Sequence, residues 1–273
     1  MAVSIPDTLT ANSSERYILS IRISPDGFSF SGTIPSKSDS FFYRRIAFDK
    51  SKDYVTLLKE AFFEEECLTW AYKAVNIFCF TSDYLFVPEA LYDEEKKHEL
   101  MQYAFLSPTQ KSISDTLALG QGRIVYGIDQ EVYEFLFRSF VNPKFFHHMA
   151  LPFNTWKRQS ELSFSGQMNV ILNKKTIDIA CFKRGEAVFL NSFEYTNSDD
   201  ILYFISCTWK QIGLDQLKDR LYLFGDADYR KSLITTLKNY IHYVSEMELP
   251  ADVYLRNKEI MQAPYDIMLA VCE

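Results

Sequence analysis

Three short polar segments of this chain hold the residue types that could carry chemistry. They are the turn Ser24-Pro25-Asp26-Gly27, the turn Asn173-Lys174-Lys175 and a strand end with Gly225 and Asp226. Carboxylates can hold a cation or take a proton, and lysines attract phosphate. The carboxyl ends of strands are where α/β proteins usually place such groups. The candidate site residues are therefore Ser24, Asp26, Lys174, Gly225 and Asp226.

No established catalytic or metal-binding motif accompanies these segments. The chain has no G-x-S-x-G turn, no P-loop and no H-E-x-x-H helix. His147 and His148 are adjacent, so on a strand they would point to opposite faces, one buried and one exposed, and could not chelate one metal together. Asp228 also follows the strand end, but it is better explained as the N-cap of the next helix. The sequence predicts no metal site.

Composition narrows the class of protein. The chain has 273 residues with 47% hydrophobic and 16% aromatic residues, which is enough to build a large core. Its net charge of −7 disfavours phosphate backbones, so we expect no nucleic-acid partner. Five cysteines without C-x-x-C spacing indicate buried thiols in a reducing compartment. The N-terminus lacks the pattern of a signal peptide and no apolar run is long enough to span a membrane, so a cytoplasmic protein is predicted.

The first part of the chain predicts three strands, a helix and a buried strand. The strands are at residues 17–23, 27–33 and 41–48, the helix begins near Ser51 as its N-cap, and the buried strand is "AVNIFCF".

An additional segment follows this strand. It contains a short strand that ends at Pro88, a charged helix from about Asp93 to Phe105, and "TLALGQGRIVYGI" as a strand pair or one bent strand. A helix capped by Asp129 and a strand in "PKFFHHMALPF" close this half.

The second half repeats the element order. Residues 168–173 and 176–182 form a hairpin, "AVFLNSFEY" is a third strand, and a helix capped by Asp199 and ended by Gly213 follows. The strand "RLYLFGD" and another helix come next, and the segments "YVSEMEL" and "IMLAV" fit either strand or helix. The sequence therefore predicts an α/β fold made by duplication, in which strands 17–23 and 168–173 are equivalent. The predicted units are a polar tail (1–16), a first half (17–158, with an insertion at about 85–110) and a second half (159–273).

Two β-β-β-α-β-α halves in tandem resemble the actin-like ATPase fold, whose halves are ribonuclease H-like. The segment "FVPEALYDEEKKHELMQYAF" is similar to the inserted subdomain of the actin-like assembly proteins of type IV pilus and type II secretion systems. The combination of "VPEALYDEE", "YLFGD" and "PYDIMLAVCE" resembles an uncharacterised Bacteroidetes family, domain of unknown function 3822. The resemblance implies a duplicated actin-like fold with a small inserted subdomain in the first half.

The chain departs from actin-like ATPases at both hairpin turns. Those proteins carry Asp-x-Gly there, where Gly admits phosphate and Asp holds Mg²⁺ or orients water. Here Arg22 or Ile23 stands in place of the Asp, and Pro25 has no N–H to offer to a phosphate. The second turn has Lys174 and Lys175 but no Gly, and Asp26 is best explained as an ordinary turn residue. Gly225 stands where related folds carry a glycine pair against adenosine.

We therefore expect a non-catalytic binding or scaffold protein with no cofactor and with a protein partner. Its predicted recognition surface is the inserted helix with Tyr92, Met101, Tyr103 and Phe105, although these side chains would equally serve to dock the helix on its own sheet. The alternative is a nucleotide-binding or kinase-like protein that uses ATP and Mg²⁺ through displaced residues, with Asp26, Lys174 and Asp226 as candidates. A hydrolase lacks any nucleophile motif to support it. The sequence leaves the oligomeric state open.

Overall fold

The computed structural model describes residues 5–6, 8–49, 52–105, 110–225 and 227–272. Its strands are β1 (Ile18–Ser24), β2 (Gly27–Thr33), β3 (Phe42–Ala47), β4 (Ala74–Cys79), β5 (Tyr84–Val87), β6 (Gln110–Thr116), β7 (Arg123–Asp129), β8 (Lys144–His147), β9 (Gln167–Leu172), β10 (Thr176–Lys183), β11 (Glu186–Glu194), β12 (Arg220–Gly225) and β13 (Tyr243–Glu246). Its α-helices are α1 (Tyr54–Glu64), α2 (Lys97–Ala104), α3 (Gln130–Ser139), α4 (Ala150–Glu161), α5 (Ser198–Ile212), α6 (Ala227–Leu237), α7 (Ala251–Tyr254) and α8 (Tyr265–Ala270).

Two five-stranded sheets with the same topology form the two halves. Their strand orders are β3-β2-β1-β4-β8 and β11-β10-β9-β12-β13. In each sheet the central strand pairs antiparallel with the next strand of its hairpin and parallel with a strand that follows a helix. Strands β1 and β9 are therefore equivalent, which confirms the predicted duplication.

The first hairpin turns in two residues, Pro25 and Asp26, between the paired residues Ser24 and Gly27. Gly27 has a φ of 139°, and a Cβ there would lie 2.1 Å from the backbone oxygen of Ile46 on β3. Only glycine fits this position. Residues with a side chain rarely adopt this φ value, and a Cβ would also collide with the backbone of β3. The turn is thus the one predicted from the sequence.

The inserted subdomain is a three-stranded antiparallel sheet with the order β5-β7-β6, covered by α2. It runs from Tyr84 to Asp129, a longer segment than the insertion at about 85–110 that the sequence indicated. The charged segment begins with a 3₁₀ turn, Glu94–Lys96, before α2. Strand β5 contacts β11, so the insertion also reaches the second half.

Helix N-caps differ from the sequence prediction at three of the four positions named. Asp228 is the second residue of α6 and not its N-cap. Asp129 caps α3 as predicted, through bonds to two backbone N–H groups. Helix α1 is capped by Asp53, which accepts from the Thr56 N–H, and Ser51 lies outside the described residues. Helix α5 is capped by Asn197 in a capping box with Asp200, so the prediction of Asp199 was wrong. Short polar side chains cluster before both helices, and local spacing alone does not choose among them.

Helix α4 was not predicted, and it joins the two halves. The segment "PKFFHHMALPF" was expected to be a strand, but the strand β8 ends at His147 and α4 begins at Ala150. Pro152 disfavours a helix interior, yet it lies in the first turn of α4, where its missing N–H costs nothing. Helix α4 packs on α8 and against β10 and β11, and one core cluster holds residues of both halves. The predicted division after residue 158 falls within α4 and stays a prediction.

Candidate functional site

The two hairpin turns face each other across the cleft between the halves. The Lys174 Nζ lies 3.9 Å from the Asp26 Oδ2, and the Arg45 guanidinium lies 2.6 Å from the same oxygen. Ser24 Oγ donates to Asp26 Oδ1 at 3.0 Å. Partial burial would raise the pKa of Asp26, but the Ser24 hydrogen bond and the Arg45 and Lys174 charges hold it below its usual range. Three of the candidate residues, Ser24, Asp26 and Lys174, therefore lie together.

Gly225 lies beside the second turn, at the end of β12. It pairs with Leu172, and a Cβ at Gly225 would lie 2.3 Å from the Leu172 carbonyl oxygen. Its own carbonyl accepts a hydrogen bond of 2.7 Å from Arg230. The glycine thus permits close packing of two strands at this edge, and Asp226 lies outside the described residues.

Below the turns, a buried ion pair closes the cleft. The Nε of Arg22 on β1 donates to the Oδ2 of Asp266 on α8 at 2.7 Å; the Asp266 side chain is buried, and 12% of the Arg22 side chain is exposed. The Arg22 guanidinium also stacks over the Phe80 ring at 4.4 Å. The first hairpin therefore presents a paired cation at the base of the cleft.

A second buried pair lies beside the first. His148 Nε2 lies 3.2 Å from Asp178 Oδ2, and Asp178 also accepts from the Asn173 Nδ2 at 2.6 Å and from the Ser192 hydroxyl. Ser192 contacts the Tyr84 hydroxyl of the insertion at 3.3 Å. Burial would raise the pKa of Asp178, but His148 and these hydrogen bonds hold it below its usual range. The side chains of both halves and the insertion therefore form one polar network.

The space left between these pairs is small. A cavity of about 10 Å³ is bounded by side chains from both halves, among them Arg22, His148, Asp178 and Asp266. This is room for about one water molecule. The base of the cleft is therefore occupied by the protein itself.

The two histidines are both buried, with 0% of His147 and 3% of His148 exposed, so the expectation of one exposed histidine was wrong. The alternation rule fails because the strand ends between them. The His147 ring bonds the Thr81 carbonyl at 3.0 Å, and burial lowers the pKa of His147. Within the described ranges, no three His, Cys, Asp or Glu side chains converge as metal ligands.

Asp115 on β6 is buried beside these histidines and accepts a hydrogen bond from the His147 backbone N–H. Burial raises the pKa of the Asp115 carboxyl to about 7. A raised carboxyl pKa stabilises the folded state fully below the unfolded pKa, and this stability is lost as the pH rises through the folded value.

We expect the stability of wild type relative to Asp115→Asn to fall by on the order of 2 kcal/mol between pH 5 and pH 7. The variant keeps an oxygen to accept from His147 and has no charge to bury. Urea unfolding of both proteins across this range measures the difference between their free energies of unfolding. His147 is present in both proteins, so its opposite dependence on pH cancels in this difference. A difference that does not change with pH would mean that Asp115 is hydrated.

The predicted surface on the insertion is only partly exposed. Tyr103 is 93% exposed and Met101 is 5% exposed, because Met101 points toward the sheet that α2 covers. Tyr92 is half-buried under the Arg123 guanidinium, which lies 4.6 Å from its ring, and Phe105 is also half-buried. Met101 therefore docks the helix, and Tyr103 is the most accessible of the four side chains.

Sequence reasoning missed a groove in the first half. It lies at the carboxyl ends of β1 and β4, where α1 and α3 begin, and has a volume of about 670 Å³. We call it the α1–α3 groove. Its lining comes from four separate stretches of sequence (23–25, 53–59, 79–81 and 127–132), so no local motif could reveal it. Of the residues that line the groove, Asp129 was the one that the sequence had marked, as the N-cap of α3.

Two equivalent halves that meet turn to turn across a cleft define the actin-like ATPase fold. A Bacteroides thetaiotaomicron protein with this fold and unknown function is similar to the chain at 29% identity and a TM-score of 0.83, over 97% of this chain and 99% of that chain. The chain belongs to the family described as Protein of unknown function (DUF3822), whose model matches residues 6–244. The resemblance stated from the sequence is thus confirmed.

A more distant structural relative is a chain of the PilM-PilN type IV pilus biogenesis complex. It matches with a TM-score of 0.51 and 9% identity, over 93% of this chain and 94% of that chain, and shows the shared fold alone. None of the curated proteins matches the chain. Among the described residues, no helix is long and apolar enough to cross a membrane.

Proposed function

We propose that this protein is a non-catalytic, protein-binding member of the actin-like fold class. The observation that carries the proposal is the Arg22–Asp266 pair at the base of the cleft, with the His148–Asp178 pair beside it. Pockets for ligands of nucleotide size have volumes of roughly 300–1,000 Å³, and the space between these pairs is about 10 Å³. Pro25 also has no backbone N–H, so the first turn has one donor fewer for a phosphate.

A protein partner is supported by two further observations. The PilM chain, which has the same fold, was solved in a complex named with PilN. In this chain, Tyr103 projects from the insertion with 93% of its surface exposed, and exposed tyrosines are enriched at protein interfaces. The proposed recognition surface is therefore the outer face of α2.

A nucleotide-binding function is the second candidate, and one cavity favours it. A space of about 900 Å³ adjoins the second turn, lined by Lys174, Lys175, Tyr195 and the start of α5. Its two lysines offer positive charge to a phosphate. The backbone N–H groups of Asp199 and Asp200 at the start of α5 already bond the Asn197 side chain, so these donors are not free for a phosphate.

We expect Mg²⁺-ATP and Mg²⁺-ADP to leave the melting temperature unchanged and ATP to remain unhydrolysed. A nucleotide at 100 times its Kd would add about 2.7 kcal/mol of stability, which is a rise of several degrees for a chain of this size. Differential scanning fluorimetry and phosphate release measure both quantities. A rise that disappears in Lys174→Ala would establish the nucleotide-binding alternative instead.

We expect a photo-crosslinking amino acid at position 103 to capture a discrete protein in cells of the source organism, since Tyr103 lies on the proposed surface. The matched control is the same amino acid at Tyr254, which is 61% exposed and lies on α7, in the second half. Mass spectrometry identifies captured proteins at each site. Equal capture at both positions, or none at position 103, would contradict the proposed surface.

A further inference from the structure

The α1–α3 groove has an apolar floor and a charged rim. The floor is made of buried side chains that belong to the core of the first half, namely Ile23, Val55, Cys79, Ile128 and Val132. Tyr54 and Phe80 are only partly buried and add aromatic surface to the walls. A groove of this size and lining can take a few apolar residues of a bound segment.

The rim carries more negative than positive charge. Asp53, Asp129 and Glu131 line it, and none of the three has an ion-pair partner among the residues that the structure describes. Among the residues that the structure describes, Lys59 is the one basic residue of the lining, and it has no ion pair there. These four described side chains together give the rim a net charge of about −2.

The N-termini of α1 and α3 at the rim are unfavourable for binding an anion. Asp53 accepts from the Thr56 N–H, and Asp129 accepts from the N–H groups of Glu131 and Val132. These carboxylates satisfy the free N–H groups and offset the positive ends of α1 and α3. An anionic ligand would therefore meet three carboxylates and occupied donors.

We infer that the α1–α3 groove binds a partner segment in which a lysine or arginine stands beside apolar residues; the inference rests on the protein-binding function proposed above. The apolar residues cover the floor, and the basic side chain lies against Asp53, Asp129 and Glu131. Charge-assisted hydrogen bonds to carboxylates are among the strongest polar contacts across an interface. A second cavity, of about 480 Å³, shares Lys59 and Glu131 and extends the groove along α3.

A random dodecapeptide library displayed on phage, selected against the full chain, tests the inference. We expect the enriched peptides to carry Lys or Arg next to apolar residues. Synthetic fluorescent copies of these peptides then give Kd values by anisotropy, and the affinity should fall as salt rises.

The decisive variant is Asp53→Asn/Asp129→Asn, because asparagine caps helices as well as aspartate but carries no charge. We expect it to weaken peptide binding about tenfold, which corresponds to one charge-assisted hydrogen bond. The control Asp199→Asn/Asp252→Asn removes the same charge from the first turns of α5 and α7 in the second half and should change the Kd less than twofold.

Enriched peptides without basic residues, or no enrichment, would overturn the inference. So would equal effects of the two double variants, which would mean general attraction to an acidic chain. Peptides that lose binding in Tyr103→Ala, and not in the groove variant, would also overturn it while supporting the α2 surface. Lys174 does not line the groove, so a nucleotide effect that disappears in Lys174→Ala reveals a failure of the proposed function separately from the peptide selection.

Discussion

Asp266→Ala is expected to destabilise the protein by about 3–5 kcal/mol, because it leaves the Arg22 guanidinium buried without its partner. Asp266 is 4% exposed, and its Oδ2 accepts from Arg22 Nε at 2.7 Å. The guanidinium is stacked on the Phe80 ring and only 12% of the Arg22 side chain is exposed, so water can replace little of the lost interaction. Guanidinium chloride unfolding, read as the free energy of unfolding at constant m-value, measures the loss.

The double variant Arg22→Met/Asp266→Leu is the matched control. It removes both charges and keeps most of the volume, so we expect its stability to lie within about 1 kcal/mol of wild type or above it. The single variants Arg22→Met and Asp266→Leu complete a cycle with this double variant, and the cycle isolates the interaction of the pair. A loss below about 1 kcal/mol in Asp266→Ala would show that water reaches Arg22, and the closed cleft would then lose its main support.

Trp156→Ala is the second large effect, expected to cost about 3–5 kcal/mol. Trp156 on α4 is fully buried at 0% exposure and stacks on Tyr265 of α8 with ring centroids 5.9 Å apart. Its Nε1 lies 3.2 Å from both the Tyr265 hydroxyl and the Met247 sulfur. Because these partners belong to the second half, the loss should appear in the unfolding of the whole chain.

Trp156→Phe separates packing from hydrogen bonding at this position. It keeps an aromatic ring but loses the N–H donor and part of the volume, so we expect a smaller cost of about 1–3 kcal/mol. Circular dichroism and tryptophan-independent probes in each half should report one transition in both variants. Separate transitions for the two halves would show that α4 does not couple them.

The hairpins and their turns were predictable because their determinants are local. Alternating apolar residues and the Pro25-Asp26-Gly27 turn define the first hairpin within a few residues of sequence, and the structure has it in that register. The left-handed Gly213 at the end of α5 is equally local. Since both halves are built from such units in the same order, the duplication followed from the sequence.

The closed cleft could not be predicted, because its contacts join distant positions. Arg22 and Asp266 are 244 residues apart, and Asp266 lies in "PYDIMLAV", a segment whose pattern fits strand or helix. The absence of Asp-x-Gly turns indicated that the usual phosphate contacts are missing. It did not indicate which side chains meet at the base of the cleft.

The duplicated order of the two halves, both hairpin turns and the family followed from the printed sequence, because short-range backbone preferences and apolar periodicity act within each element. The course of α4, the burial of both histidines, the ion pairs of the cleft and the α1–α3 groove were decided by how the elements pack. Each of these depends on side chains that meet across separate strands and helices. Once a titratable group is buried, its surroundings determine whether it is paired or neutral. Periodicity predicts which face of an element is apolar, but not which distant residue will contact it.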